Sequence, residues 1–313
     1  MSLLDIPDLP MIKILENCNF MSLMILRKTC HNLRNFIDYL APETEVTSIE
    51  VDVYSNKIRL LLENHQNYFP PLDVTYRKSS QGCELDLFKN RLKKEWNDME
   101  HIHSNREKVI KYIKDADFID VFCMDLAVIM RNQRTELNSL KVCMYETGKK
   151  VPKRIHKSTR LLSFLGCCSR CRSASEAIIE DLDPDIEVIS MCSRIYDTIE
   201  ISLQPRPLRV KKLELYATGK RQLLQILPYT DPNALNCLRF YRFPYHWVFR
   251  EAIDLEIDDL VKLEQWGSIK KVYICGFKIK GSIENFGHFD CVQVFIEVVT
   301  VNHVLFIKEV LEN

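Results

Sequence analysis

The sequence predicts a mixed α/β protein, α+β in its first part and α/β in its second, and three observations carry that prediction. Apolar residues over the first forty positions recur every three or four residues, at Ile12, Leu15, Phe20, Leu23, Leu26, Cys30, Leu33 and Ile37, which is helical spacing. From Val46 the period changes to two, the spacing of strands. Beyond Asp117, helix-type and strand-type segments alternate to the end of the chain, the pattern of layered α/β structure.

The helical opening is entered through Pro7 and Pro10, where a missing N–H costs a helix nothing. A segment of this length buries its apolar stripe only against a partner. It is therefore either a helical cap on the main domain or a docking module for another protein's helices. Pro42 and Glu43 close it.

The strand-like part runs through VTSIEVDVY, KIRLLLEN, LDVTYRK and CELDLF, split by Asn56, Pro70-Pro71 and Gln81-Gly82. Runs of this length with these breakers read as an antiparallel meander. Lys89 to Lys114 is rich in charges of both signs and reads as one or two solvated helices. The predicted divisions are 1–40, 41–115 and 116–313.

The last division repeats a unit. In DFIDVFCMDLAVIMRNQ, Val121, Leu126, Ile129 and Met130 share a helix face, and a strand follows through Leu140, Val142 and Met144. Leu126, Ile129 and Met130 correspond to Leu223, Ile226 and Leu227. Leu137, Leu140 and Val142 correspond to Leu235, Leu238 and Phe240. A shorter copy has Leu260 and Leu263 on its helix and Val272 and Ile274 on its strand; RVKKLELY and CVQVFIEVV add strands, and VNHVLFIKEVLEN a closing helix. Such units suggest a solenoid-like array of parallel strands with helices on one face, with leucine-rich-repeat-like curvature as one form of it.

Composition narrows the function classes. The chain has 313 residues, 46% apolar and 27% charged, with 43 basic and 43 acidic side chains. This is a globular composition, and its zero net charge gives no global field for nucleic acid or membrane. The opening MSLLDIPD lacks a signal peptide's basic stretch and apolar core, and no apolar run approaches a bilayer span. The twelve cysteines are then expected as reduced thiols in an intracellular, cytoplasmic or nuclear protein.

Motifs for chemistry were sought in turn. Cys168 and Cys171 form a single C-x-x-C pair, with Cys167 adjacent, His156 upstream and Cys192 downstream; a structural zinc site usually needs two such pairs. GFKIKGS from Gly276 lacks a phosphate-binding lysine, and no G-x-S-x-G or H-E-x-x-H is present. No cofactor, metal or catalytic residue is expected. KKVPKR, from Lys149, reads as a solvated loop or an import signal. Tyr241, Arg242, Phe243, Tyr245 and Trp247 cluster around Pro244, with the composition of a binding hot spot. They are the expected target surface; a loop sealing the end of the sheet is the other reading.

The opening resembles an F-box. Ile6-Pro7 stands in the register of that module's leading Leu-Pro pair relative to Ile14, Leu23, Leu26 and Cys30, and Leu9-Pro10 offers a second pair. Ile6 replaces the leading Leu, and Leu33 stands where a Trp is common. The phrases DLAVIMRNQRTELNSLKV, RVKKLELYATGKRQLLQILPYTDPNALNCLRF and DDLVKLEQWGSIKKVYI are similar to the FTH region of nematode F-box proteins of the F-box A family. The resemblance implies a non-catalytic, substrate-recognition subunit of a Skp–cullin–F-box ubiquitin ligase. Ile6, Pro7, Leu9, Pro10, Ile14, Leu23, Leu26 and Cys30 would build the module that docks to a Skp-type linker, and through it to a cullin, while the later domain holds a target protein. The alternative is a freestanding protein- or nucleic-acid-binding scaffold capped by its N-terminal helices.

Overall fold

The structure is a computed structural model and describes residues 6–16, 18, 23, 26–27, 31–40, 46–64, 71–89, 107–145, 186–243 and 252–312. Two helices open the chain, α1 (Asp8–Glu16) and α2 (His31–Leu40). The Met11 amide donates to the Pro7 carbonyl at 3.1 Å, closing the first turn of α1. Pro7 and Pro10 thus lie where no helical N–H is lost. Met11, Leu15, Leu23, Leu33 and Ile37 form a small buried cluster, against which Ile6, Cys18, Leu26, Phe36 and Leu40 pack half-buried. This cluster is distinct from the main core.

Everything after it is built on one open mixed sheet of eleven strands. The first five are β1 (Val46–Tyr54), β2 (Lys57–Asn64), β3 (Leu72–Ser79), β4 (Gly82–Lys89) and β5 (Glu107–Lys114). They form the expected antiparallel meander, each paired with the next. The segment Glu107–Lys114, expected as helix, is a strand. Its apolar residues Val109, Ile110 and Ile113 are β-branched, and β4 offers its free edge as template. The other residues of that charged stretch, 90–106, lie outside the described set, as does the basic run from Lys149.

The parallel half contains β6 (Ser139–Met144), β7 (Lys212–Ala217), β8 (Cys237–Arg242), β9 (Ile253–Glu256), β10 (Lys271–Lys280) and β11 (Cys291–Phe295). Strand β1 joins the halves, antiparallel to β2 and parallel to β6. From there β6, β7, β8, β10 and β11 lie side by side in chain order, and β9 pairs with the far end of β10. The helix–strand alternation predicted from the sequence is present. Its strands, however, belong to the same open sheet as the meander, so a separate solenoid with leucine-rich-repeat-like curvature does not describe them.

Between the strands run α3 (Phe118–Asn132), α4 (Ile186–Leu203), α5 (Lys220–Ile226), α6 (Asp258–Val261) and α7 (Glu264–Ser268), and α8 (Val301–Glu312) follows the last strand. Asp117 caps α3 by accepting from the Ile119 amide at 3.1 Å. Helix α3 packs over β2, β3 and β4, α4 lies beside it over β1, and α5 over β7. The strands alternate accordingly: Ile49, Val51, Val53, Leu140, Val142, Leu213, Leu215, Leu238, Phe240, Val272 and Ile274 all enter this core. Phe240 stacks on Phe277 with ring centroids 4.9 Å apart.

Two glycines mark places where the backbone has no room. At Gly82, φ is +127°, and a β-carbon would lie 2.3 Å from the Ile113 carbonyl oxygen. This residue starts β4 after a two-residue turn from Ser79. Gly82→Ala should therefore cost about 1–3 kcal/mol, read as a lowered urea midpoint with an unchanged slope; an unchanged midpoint would refute the reading. Gly276, at φ +83°, sits where β10 changes partner from β8 to β9, with Arg242 closing over it.

Candidate functional site

Two surfaces concentrate the residues singled out by sequence. The first is the N-terminal helical module. Its small core fixes which side chains of α1 face inward, because residues four apart share a face: Met11 and Leu15 are buried. Their neighbours then point away. Leu9 is 75% exposed and Ile14 40% exposed, and Tyr39 on α2 is 85% exposed. Pro7 and Pro10 are exposed as well. Of the predicted docking residues, Leu23 is instead in the module core, and Ile6 and Leu26 pack half-buried against it. Cys30 lies outside the described residues. Tyr39 was not singled out by sequence, since no motif position marks it; only its place opposite the buried Ile37 and Leu33 face exposes it.

The module is tied to the sheet by a charged contact. Arg27 holds Asp38 with two hydrogen bonds of 2.7 and 3.1 Å and reaches Asp125 on α3 at 3.5 Å. The Tyr76 hydroxyl donates to the other oxygen of Asp125 at 2.7 Å. Asp125 and Tyr76 are buried, and burial, then the Asp125 charge, holds the Tyr76 phenol well above its usual range.

The second surface is the sheet face opposite α3 and α4. Across β1, β6, β7, β8 and β10 the register aligns Glu50, Lys141, Glu214, Arg239 and Tyr273 in one row. Charges alternate along it, which is favourable between neighbouring strands. Lys141 pairs with Glu50, Arg239 reaches Glu214 at 3.8 Å, and Arg239 lies over the Tyr273 ring at 4.9 Å from its centroid. Towards the carboxyl ends of the strands the face becomes aromatic. Tyr54 stacks on Tyr145 at 4.7 Å, and Tyr216 meets Tyr241 at 4.9 Å.

The predicted target surface maps here in part. Tyr241 and Arg242 are half-buried at the end of β8. Phe243 is only 3% exposed and belongs to the main core, so it is not a surface residue. Its amide bonds to the Ala217 carbonyl at 2.8 Å, extending the β7 pairing and turning the ring inward. Tyr245 and Trp247 lie outside the described residues. What the sequence did not signal is the Tyr54, Tyr145 and Tyr216 neighbourhood, assembled by pairing between distant strands.

Glu50, Asp52 and Cys143 bring three metal-type ligand atoms within 4.8 Å of one another. Their chemistry fits an ion-pair cluster better. Burial pushes the Cys143 thiol up to about 12, away from the thiolate a metal takes, and Lys141 already supplies positive charge at Glu50. Of the cysteines weighed as zinc ligands, Cys192 is buried in α4, and Cys167, Cys168, Cys171 and His156 lie outside the described residues.

Burial, then the Glu50 charge, raises Asp52 above its ordinary 3.8. A carboxyl raised on folding favours the folded state most at low pH, and that contribution is lost as pH rises through the folded value. Asp52→Asn should therefore gain stability relative to the parent between pH 3.5 and pH 7. Parallel thermal melts across that range check this; a difference independent of pH would exclude the cause.

A model of the F-box domain matches residues 3–43, and a model of the FTH domain matches residues 193–313. This is an F-box and FTH-domain protein. The chain is also similar to F-box A protein 224 of Caenorhabditis elegans, 22% identical over 312 residues. That alignment covers 100% of this chain and 64% of the relative, so the chain spans less than two thirds of the relative's length. The order of domains is consistent with the nematode F-box A family. No solved structure matches. The F-box match covers α1, α2 and their small core, and the FTH match begins within α4 and takes in β7 to α8. Among the described residues no helix is long and apolar enough to cross a membrane.

Proposed function

We propose that this F-box protein is the substrate-recognition adaptor of a Skp–cullin–F-box ubiquitin ligase. F-box domains generally bind Skp-type linkers and, through them, cullins. The observation that carries the reading is the outward apolar set Leu9, Ile14 and Tyr39 beside Pro7 and Pro10, on a module whose core is already complete without them. Single exposed apolar side chains are ordinary, but several on one small module mark an interaction site. A cap would have buried them against the sheet.

In this reading the chain performs no bond chemistry. It holds a target near a partner-borne conjugating enzyme and raises the effective concentration of the target's lysines. The F-box docks to the linker, the sheet face with Tyr216, Tyr241 and Arg242 contributes to holding the target, and the protein works inside the cell. Arg27 and Asp125 keep the two ends of the adaptor in a fixed relation.

The test is co-elution of the purified full chain with a recombinant Skp-type linker and a cullin N-terminal domain. A ternary peak is expected. A full chain that melts cooperatively yet elutes apart from the linker would overturn the proposal.

A further inference from the structure

We infer that the FTH domain carries an anion pocket that takes a phosphoryl group on a peptide segment of the target. This rests on the adaptor reading and names the chemistry of what the adaptor holds. The pocket is a cavity of about 510 Å³ at the amino ends of β7, β8 and β10, on the face opposite α3 and α4. It is separate from the aromatic patch, which lies at the carboxyl ends of the same strands.

Its floor follows from register. Lys212, Cys237 and Lys271 are aligned on three adjacent strands, so the two lysines stand about 9–10 Å apart at their α-carbons, two strand spacings. The small Cys237 between them leaves a depression. Arg239, two residues along β8 on the same face, closes one side, and its guanidinium is steadied over the Tyr273 ring. Lys211 and the amide side chain of Asn236 stand among the remaining lining groups. Three cations around a small residue match a tetrahedral dianion, which accepts hydrogen bonds on several oxygens at once.

The charge balance is positive and local. Lys211 pairs with Glu136 at 3.0 Å, and Lys212 with Glu214 at 2.7 Å, a carboxylate that Arg239 also reaches. Glu136 is shared with Arg209. Four lining cations therefore face two carboxylates, and Lys271 makes no ion pair among the described residues. A surplus of this size in a chain of zero net charge is a feature of one place rather than of the whole surface. Nucleic acid would call for a basic track several phosphates long, whereas here the next row, through Glu50 and Glu214, alternates in sign. A single phosphorylated side chain, with its flanking residues extended over the sheet, suits the site better.

The full chain would be titrated, by fluorescence anisotropy, against three nine-residue peptide libraries with degenerate flanks and a central phosphoserine, glutamate or serine. The phosphoserine library should bind at least about tenfold tighter than either other, the worth of one additional charge-assisted contact. Lys271→Ala should remove about that factor, Lys271→Arg should keep most of it, and Lys262→Ala, on an exposed helix end, should change nothing. Lys271 is exposed and unpaired among the described residues, so its removal leaves the fold intact, which a melt would verify. Equal binding of the three libraries, or indifference to Lys271→Ala, overturns the inference. So does displacement of the phosphoserine library by a single-stranded oligonucleotide with higher affinity, which would reassign the pocket. Linker co-elution, run on the same Lys271→Ala protein, keeps the two ideas apart. It stays intact if only the pocket fails, and is absent from the parent if the adaptor reading fails.

Discussion

Leu9→Asp combined with Ile14→Asp in the full chain abolishes co-elution with a Skp-type linker and leaves the melting transition essentially in place. Both side chains are largely outside the F-box core, and substitutions at such positions usually change stability by no more than about 0.5 kcal/mol. At an interface the same groups count for far more. Truncating a central apolar contact typically costs about 1–2 kcal/mol or above, a factor of about ten or more in affinity, and a buried unpaired carboxylate adds its desolvation penalty. Leu9→Ala and Ile14→Ala should each show the graded version, about tenfold weaker capture. Leu15→Ala gives the opposite signature. Leu15 is 1% exposed at the centre of a cluster of five buried side chains, and emptying such a site costs about 2–5 kcal/mol. A module of this size, with a core this small, has little to lose, so it should unfold locally and lose capture through loss of structure. Hydrogen exchange over α1 and α2 separates the two cases: protected in the Leu9/Ile14 pair, unprotected in Leu15→Ala. Full capture by a folded Leu9/Ile14 variant would move the docking face elsewhere.

That contrast shows where sequence reasoning stops. Helical periodicity put Leu15, Leu23, Leu33 and Ile37 on one stripe, and the structure buries all four. Motif register, by contrast, put Ile14 and Leu23 in one docking set, although the first faces out and the second in. A motif records which positions are apolar for any reason, and core and contact are both apolar. The sheet was legible in its strands but not in its continuity. The pairing of β1 with β6 joins Glu50 to Lys141, and nothing local encodes a partner ninety residues away. Helix α4 went unread for a different reason. Val188, Met191, Cys192, Ile195, Tyr196 and Ile199 are all buried at three- and four-residue steps, a helical stripe as regular as that of α3. It directly follows an acidic run and a cysteine-rich stretch that drew the reading towards ligands and loops. In β5 the charged residues suggested a solvated helix, whereas edge pairing to β4 determined the outcome; tertiary context overrides a local preference where a free strand edge is near. The anion pocket could not be read at all, because Lys212, Arg239 and Lys271 come from three strands and meet only through register.

Asp125→Ala is expected to destabilise the whole chain by about 2–4 kcal/mol, because it removes a buried carboxylate that two elements share. The Tyr76 hydroxyl, 2.7 Å from Asp125 and beneath α3, loses this acceptor, and Arg27 keeps Asp38 but loses its tie to α3. The urea midpoint should fall accordingly. Tyr76→Phe deletes only the donor and should cost less, about 1 kcal/mol. If the two residues act through one hydrogen bond, the double variant will cost less than the two singles together, with a coupling of about 0.5–3 kcal/mol. Additive losses would show that Asp125 acts through other contacts. The consequence for an adaptor is geometric as well as energetic. Arg27 lies within the stretch matched as the F-box, and Asp125 lies on the helix that covers β2, β3 and β4. Their contact fixes how the linker side is presented relative to the sheet. Arg27→Ala should therefore leave both linker capture and the sheet's own exchange protection in place, while raising the exchange rate of amides along α2, where Asp38 loses its partner. A ligase assembled on that variant would hold its target with a looser reach, and ubiquitin transfer would spread over more lysines of the target at a lower rate for each. Mass mapping of the modified lysines reads this out; an unchanged lysine pattern with unchanged α2 exchange would show that the contact does not set the geometry.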